Sequence, residues 1–66
     1  MWTAKIGNNA GALWRILDTE GEKNLTTLKK SSKLDDKWLY LALGWLARED
    51  KVAFTLKKKQ ITISLK

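Results

Sequence analysis

Three consecutive lysines, Lys57-Lys58-Lys59, are the densest charge in the chain, and their ammonium groups are suited to meeting phosphate oxygens. Lys29, Lys30, Lys33 and Lys37 add a second basic stretch upstream. The chain contains no His and no Cys, which removes imidazole acid–base catalysis, thiolate nucleophiles, disulfides and Cys/His zinc sites. The seven acidic residues are scattered over cap and loop positions, except Asp35-Asp36, which a helix cap explains. Ser31, Ser32 and Lys33 are neighbours in a turn, which is not the geometry of a Ser–Lys dyad. No glycine-rich phosphate loop is present. These residues describe a protein that binds rather than catalyses, with no metal or cofactor. The bland reading of the lysines is a solvated turn whose charge discourages edge-to-edge strand pairing. A net charge of +6 and a pI near 9.9 favour anionic partners, and they equally keep a small protein soluble.

Between Trp38 and Ala47 the sequence WLYLALGWLA carries no charge and holds two apolar stripes. Leu39, Ala42, Leu43 and Leu46 follow the i, i+3, i+4, i+7 spacing of a core-facing helix. Trp38, Leu41 and Trp45 form a second stripe, about 130° round the same helix. A surface helix of a small domain needs only one such stripe. The second is open to two readings: a contact with another protein, simplest as self-association, or cover from the N-terminal segment or the hairpin of the same chain.

The flanking segments supply the elements that hold these residues. Gly7-Asn8-Asn9 reads as a turn and cap, after which Ala10, Leu13, Trp14 and Leu17 keep helical spacing to about Thr19. Gly21 supplies a stop. Glu22-Lys23-Asn24 has room for a bridging strand only, and Asn24 caps a second helix from Leu25 to about Ser31. Lys30-Ser31-Ser32-Lys33 reads as a turn. Asp35 caps the third helix, which runs to about Glu49, with Leu34 and Leu39 at hydrophobic-staple positions. From Lys51 the period becomes 2: Val52, Phe54, Leu56 and then Ile61, Ile63, Leu65 alternate with polar or small residues. Without Gly or Asn for a primed turn, the loop between them is expected to be four or five residues, as an estimate from hairpin rules. Trp2, Ala4 and Ile6 alternate as well, which reads as a short extra strand. The organisation is one domain over residues 1–66: an N-terminal segment 1–8, a helical part 9–49 and a hairpin 51–66.

Helix, bridging strand, helix, turn, helix and hairpin resembles the winged helix-turn-helix, an α+β fold, over about residues 9–66. The segment KWLYLALGWLAREDKVAF carries the likeness most specifically, with Leu39, Tyr40, Ala42-Leu43, Leu46 and Val52 at the family's positions. The chain also looks like small stand-alone bacterial winged-helix proteins of uncharacterised function. The resemblance implies that Lys37, Tyr40, Leu41, Gly44 and Trp45 stand on the helix face that meets DNA, with Lys57, Lys58 and Lys59 at the tip of the wing. Leu41, Gly44 and Trp45 lack the bidentate hydrogen-bonding groups that base readout uses. The reading is therefore a homodimeric regulator that contacts double-stranded DNA mainly through a basic wing. Lys29, Lys30, Lys33, Lys37 and Tyr40 would assist. The competing reading is a protein-interaction module built on Trp38, Leu41 and Trp45 that binds no nucleic acid.

The longest uncharged run is about half the ~20 residues of a membrane span, and the N-terminus lacks a basic-then-apolar leader pattern. A cytoplasmic location without membrane attachment is expected.

Overall fold

A computed structural model describes residues 2–66. Its elements in chain order are α1 (Trp2–Glu20), β1 (Lys23–Asn24), α2 (Leu25–Ser32), α3 (Asp36–Arg48), β2 (Val52–Lys57) and β3 (Gln60–Leu65). The three strands form one antiparallel sheet in the order β1-β3-β2. No helix among the described residues is long and apolar enough to cross a membrane.

The core is built from one stripe of each helix and the root of the hairpin. Ala10, Leu13 and Leu17 of α1 meet Leu28 of α2, Leu39, Ala42, Leu43 and Leu46 of α3, and Val52 and Ile63 of the sheet. Every residue of the first α3 stripe is buried, as its spacing predicts. Asp35 caps α3 by accepting a hydrogen bond from the Trp38 backbone N–H at 3.0 Å. Asn24 caps α2 in the same way through the Thr27 N–H at 2.8 Å. The far end of α3 closes with a Schellman pair: Lys51 N–H donates to Leu46 O and Asp50 N–H to Ala47 O, both at 3.0 Å. Asp50 takes the left-handed conformation that glycine usually supplies there, at φ 59°. Leu34 packs against the core just ahead of the cap, consistent with a staple.

Three expectations need correction. Residues 2–8 are neither a strand nor a separate segment, because α1 starts at Trp2 and runs unbroken through Gly7-Asn8-Asn9. Trp2 and Ile6 alternate with polar residues, but they also stand four apart and continue into Ala10, Leu13 and Leu17. Packing of α1 along α3 outweighs the helix cost of Gly7, Asn8 and Asn9, roughly 0.5–1 kcal/mol each. The second correction concerns Lys30-Ser31-Ser32-Lys33. Helix α2 extends through Ser32, and only Lys33 turns the chain, at φ 61°. Thirdly, the hairpin loop is two residues long. Lys57 pairs with Gln60, and Lys58 and Lys59 both have positive φ, 49° and 66°. Two left-handed residues in succession are the signature of a type I′ turn, whose twist matches that of the strands. The chain makes this turn with lysines rather than Asn-Gly.

Candidate nucleic-acid interface

Two surfaces can present groups to a nucleic acid: the outward face of α3 and the hairpin tip. Lys37, Tyr40, Gly44 and Arg48 are exposed and share helical spacing, so they line the outward face of α3. Gly44 leaves this face flat, since a Cβ there would meet nothing within 4 Å. Arg48 was not among the residues the sequence singled out. Continuing the spacing from Lys37, Tyr40 and Gly44 by one turn would have found it.

The start of α3 is acidic. Asp35 is spent on the cap, and Asp36 forms an ion pair with Lys29 at 2.8 Å. That pair, chiefly through its hydrogen bond and then through Coulomb attraction, holds the Lys29 ammonium above its ordinary range. A phosphate approaching the amino end of α3 would meet two carboxylates before any free N–H group. Lys29 is therefore not a free cation. Lys57 is also engaged, at 3.0 Å from the Glu22 carboxylate, while Asn24 donates to Gln60 at 3.1 Å. These two links tie the hairpin tip back to β1.

Lys58, Lys59, Lys30, Lys33 and Lys37 form no ion pair among the described residues. Lys58 and Lys59 are exposed at the turn, and Lys30 is exposed near the end of α2. Lys33 is exposed as well, at the left-handed end of that helix. The Lys37 ammonium lies 5.3 Å from the Trp38 ring centroid.

The second apolar stripe of α3 is largely met from within the chain. The Trp2 ring packs edge-on against Trp38 with centroids 5.4 Å apart, and the Lys5 ammonium sits 4.1 Å from the same ring centroid. Trp45 packs on the core beside Gly7, whose absent Cβ would lie 3.7 Å from the indole. Both tryptophans are half-buried, and only Leu41, 36% exposed, remains open. Of the three residues expected to form a protein interface, α1 thus occupies the surroundings of Trp38 and Trp45. The signal for this was the helical spacing hidden within the alternating Trp2 and Ile6.

A second apolar surface lies on the hairpin, on the face marked by the alternation of Val52, Phe54 and Leu56 with Ile61, Ile63 and Leu65. The cross-strand pairs Val52–Leu65, Phe54–Ile63 and Leu56–Ile61 put six apolar residues on one face. The hairpin outruns the body it covers. Val52 and Ile63 are buried, but Phe54, Ile61 and Leu56 are 48%, 44% and 72% exposed.

Three comparisons bear on this geometry. The sequence model of the winged helix-turn-helix domain family DUF2582 matches residues 1–65. An uncharacterized protein of Methanocaldococcus jannaschii, MJ1608, is 38% identical over 69 residues, spanning 100% of this chain and 96% of that relative. The likeness therefore reaches beyond bacteria. The solution NMR structure of protein BT2368 from Bacteroides thetaiotaomicron superimposes with a TM-score of 0.88 at 34% identity, covering 98% of this chain and 79% of that one.

Proposed function

Because the chain belongs to the winged helix-turn-helix family, we propose that it is a non-enzymatic DNA-binding regulator of the cytoplasm that grips the duplex backbone through its wing. The observation that carries this is the two-residue turn itself. Lys58 and Lys59 stand side by side at the end of a hairpin, both exposed and without a carboxylate partner among the described residues. Lys30, Lys33 and Lys37 add cations on the helical side, and Tyr40 and Arg48 add hydrogen-bonding groups on the outward face of α3. Lys29 and Lys57 act through this field only as members of ion pairs. Phosphate contacts position a protein without reading sequence. Leu41 and Gly44 offer no base-reading groups, so discrimination between sequences is low.

The test is duplex affinity as a function of salt. Binding should weaken steeply, with a log–log slope of about −0.9 for each phosphate contact. Random duplex should compete within about 1,000-fold of any selected site, the lower end of specific recognition. A chain that fails to bind duplex even at low ionic strength would refute the proposal.

The exposed Phe54, Leu56 and Ile61, together with Leu41, favour a second reading: a module that contacts protein, with a homodimer as its simplest form. Under that reading the chain sediments above monomer mass without DNA, and Leu56→Glu returns it to monomer with a native circular-dichroism spectrum. A monomer at high micromolar concentration counts against it.

A further inference from the structure

Between α1 and the junction of α3 with β2 lies a cleft of about 390 Å³, within the size range of small-molecule sites. Its lining combines two indoles, Trp14 and Trp45, with two cations, Arg15 and Lys51, and with Gly7 and Gly11 of α1. Arg15 and Lys51 form no ion pair and no side-chain hydrogen bond among the described residues, so their charges are available to an occupant. Neither glycine is there for internal packing. A Cβ on Gly11 would meet nothing within 4 Å, and one on Gly7 would make only ordinary contact with Trp45. Each weakens the helix that carries it, and each leaves backbone open toward the cleft.

We propose that this cleft binds a small planar aromatic carboxylate, its ring against Trp14 and Trp45 and its carboxylate on Arg15 and Lys51. The indoles supply flat apolar surface for a ring. The Arg15 guanidinium and the Lys51 ammonium, both on the lining of the cleft, are charge-assisted donors to a carboxylate. Neutral rings gain only the weaker cation–π attraction from the cations, and cationic rings are repelled by them. Arg15 belongs to α1, whereas Lys51 stands at the root of the wing, where its carbonyl accepts from Lys66 N–H. An occupant held by both therefore fixes the root of the wing against α1. The site does not depend on whether the wing binds DNA.

Naphthoate and its neutral counterpart naphthamide are the probes, followed by amide and indole NH NMR shifts on the full chain. Naphthoate should move the Trp14 and Trp45 indole signals and the Gly7 and Gly11 amides saturably, leaving Trp2 and Trp38 in place. Ordinary ligand efficiency for a molecule of this size gives a dissociation constant of about 1 mM. Arg15→Gln should weaken naphthoate about five- to tenfold, and adding Lys51→Gln should abolish its advantage over naphthamide. Gly11→Leu should fill the cleft and remove binding. The proposal is overturned by equal binding of naphthamide, by no saturable shift up to about 10 mM, or by shifts shared with Trp2 and Trp38. A folded Gly11→Leu chain that binds normally also overturns it. Should that variant not fold, the Arg15→Gln titration decides.

Discussion

Replacing Lys58-Lys59 by Asn-Gly should stabilise the protein and weaken the proposed DNA contact in the same step. Both lysines occupy the left-handed region, at φ 49° and 66°. For an ordinary side chain that conformation costs roughly 1–2 kcal/mol, and Asn and Gly are the residues that relieve it. Over the two positions that is roughly 2–4 kcal/mol, of which Asn recovers about half of its own share and glycine gives back about 0.5–1 kcal/mol by loosening the unfolded chain. The net is a stabilisation of about 1–2 kcal/mol. For a domain of this size each kcal/mol is about 4–8 °C, so thermal unfolding should move up by roughly 4–15 °C. The same change deletes two cations from the tip. If each contacts a phosphate, the log–log salt slope of duplex binding should flatten by about 1.8. Calorimetry and a fluorescence-anisotropy salt series on the two chains measure both numbers. A melting point that stays or falls would show that the turn is not the strained one described here. An unchanged salt slope would remove the wing lysines from the DNA contact.

Asp35→Ala removes the α3 cap and should cost about 1 kcal/mol of stability in denaturant unfolding, leaving the Trp38 N–H to water. Trp2→Ala deletes the edge-on contact with Trp38, an interaction of about 0.5–1.5 kcal/mol beyond burial, and should raise amide exchange over the first turns of α1. Lys29 should titrate above the ordinary lysine value of 10.5, and Asp36→Asn should bring it back, as read from its ammonium NMR signal. A pKa raised by folding contributes stability that is present below 10.5 and fades as pH climbs through the folded value. Denaturant unfolding followed by circular dichroism should therefore find the parent chain more stable than Asp36→Asn at neutral pH, with the difference closing only in that alkaline window.

Much of the architecture was legible because the residues that build it obey simple periods. Leu39, Ala42, Leu43 and Leu46 mark a core face by spacing alone, and all four are buried. Asn24 and Asp35 mark helix starts because their side chains answer unpaired N–H groups, and both do so. Elsewhere local preference and tertiary packing disagreed. Gly7-Asn8-Asn9 has the composition of a turn, yet it lies inside α1, because Trp2, Lys5 and Gly7 find their contacts on Trp38 and Trp45. The spacing of Trp2 and Ile6 permits a helix, but nothing within residues 2–8 identifies the partner thirty and more positions away. The tight lysine turn was hidden for a similar reason. Strand pairing in register from Val52–Leu65 to Lys57–Gln60 imposes it, and the turn residues only tolerate it.

The candidate interface was legible as composition but not as charge pairing. Seven lysines in sequence suggested one basic field, yet two of them are drawn into ion pairs that serve the fold: Lys29 holds Asp36 at the start of α3, and Lys57 holds Glu22 beside β1. What remains available is divided between the turn at Lys58-Lys59 and the helical side, with Lys30 and Lys33 at the end of α2 and Lys37 on α3 just past its acidic start. A duplex can satisfy both basic ends through its backbone. The carboxylates of Asp35 and Asp36 repel the phosphates that would otherwise draw the amino end of α3 deep into a groove. Under the proposed DNA-binding reading, this charge arrangement would leave affinity to the wing and orientation to α3. Asp36→Asn should then tighten duplex binding, by removing a repelling charge and releasing Lys29 at once. A variant that binds no better than the parent chain would show that the duplex never approaches the start of α3.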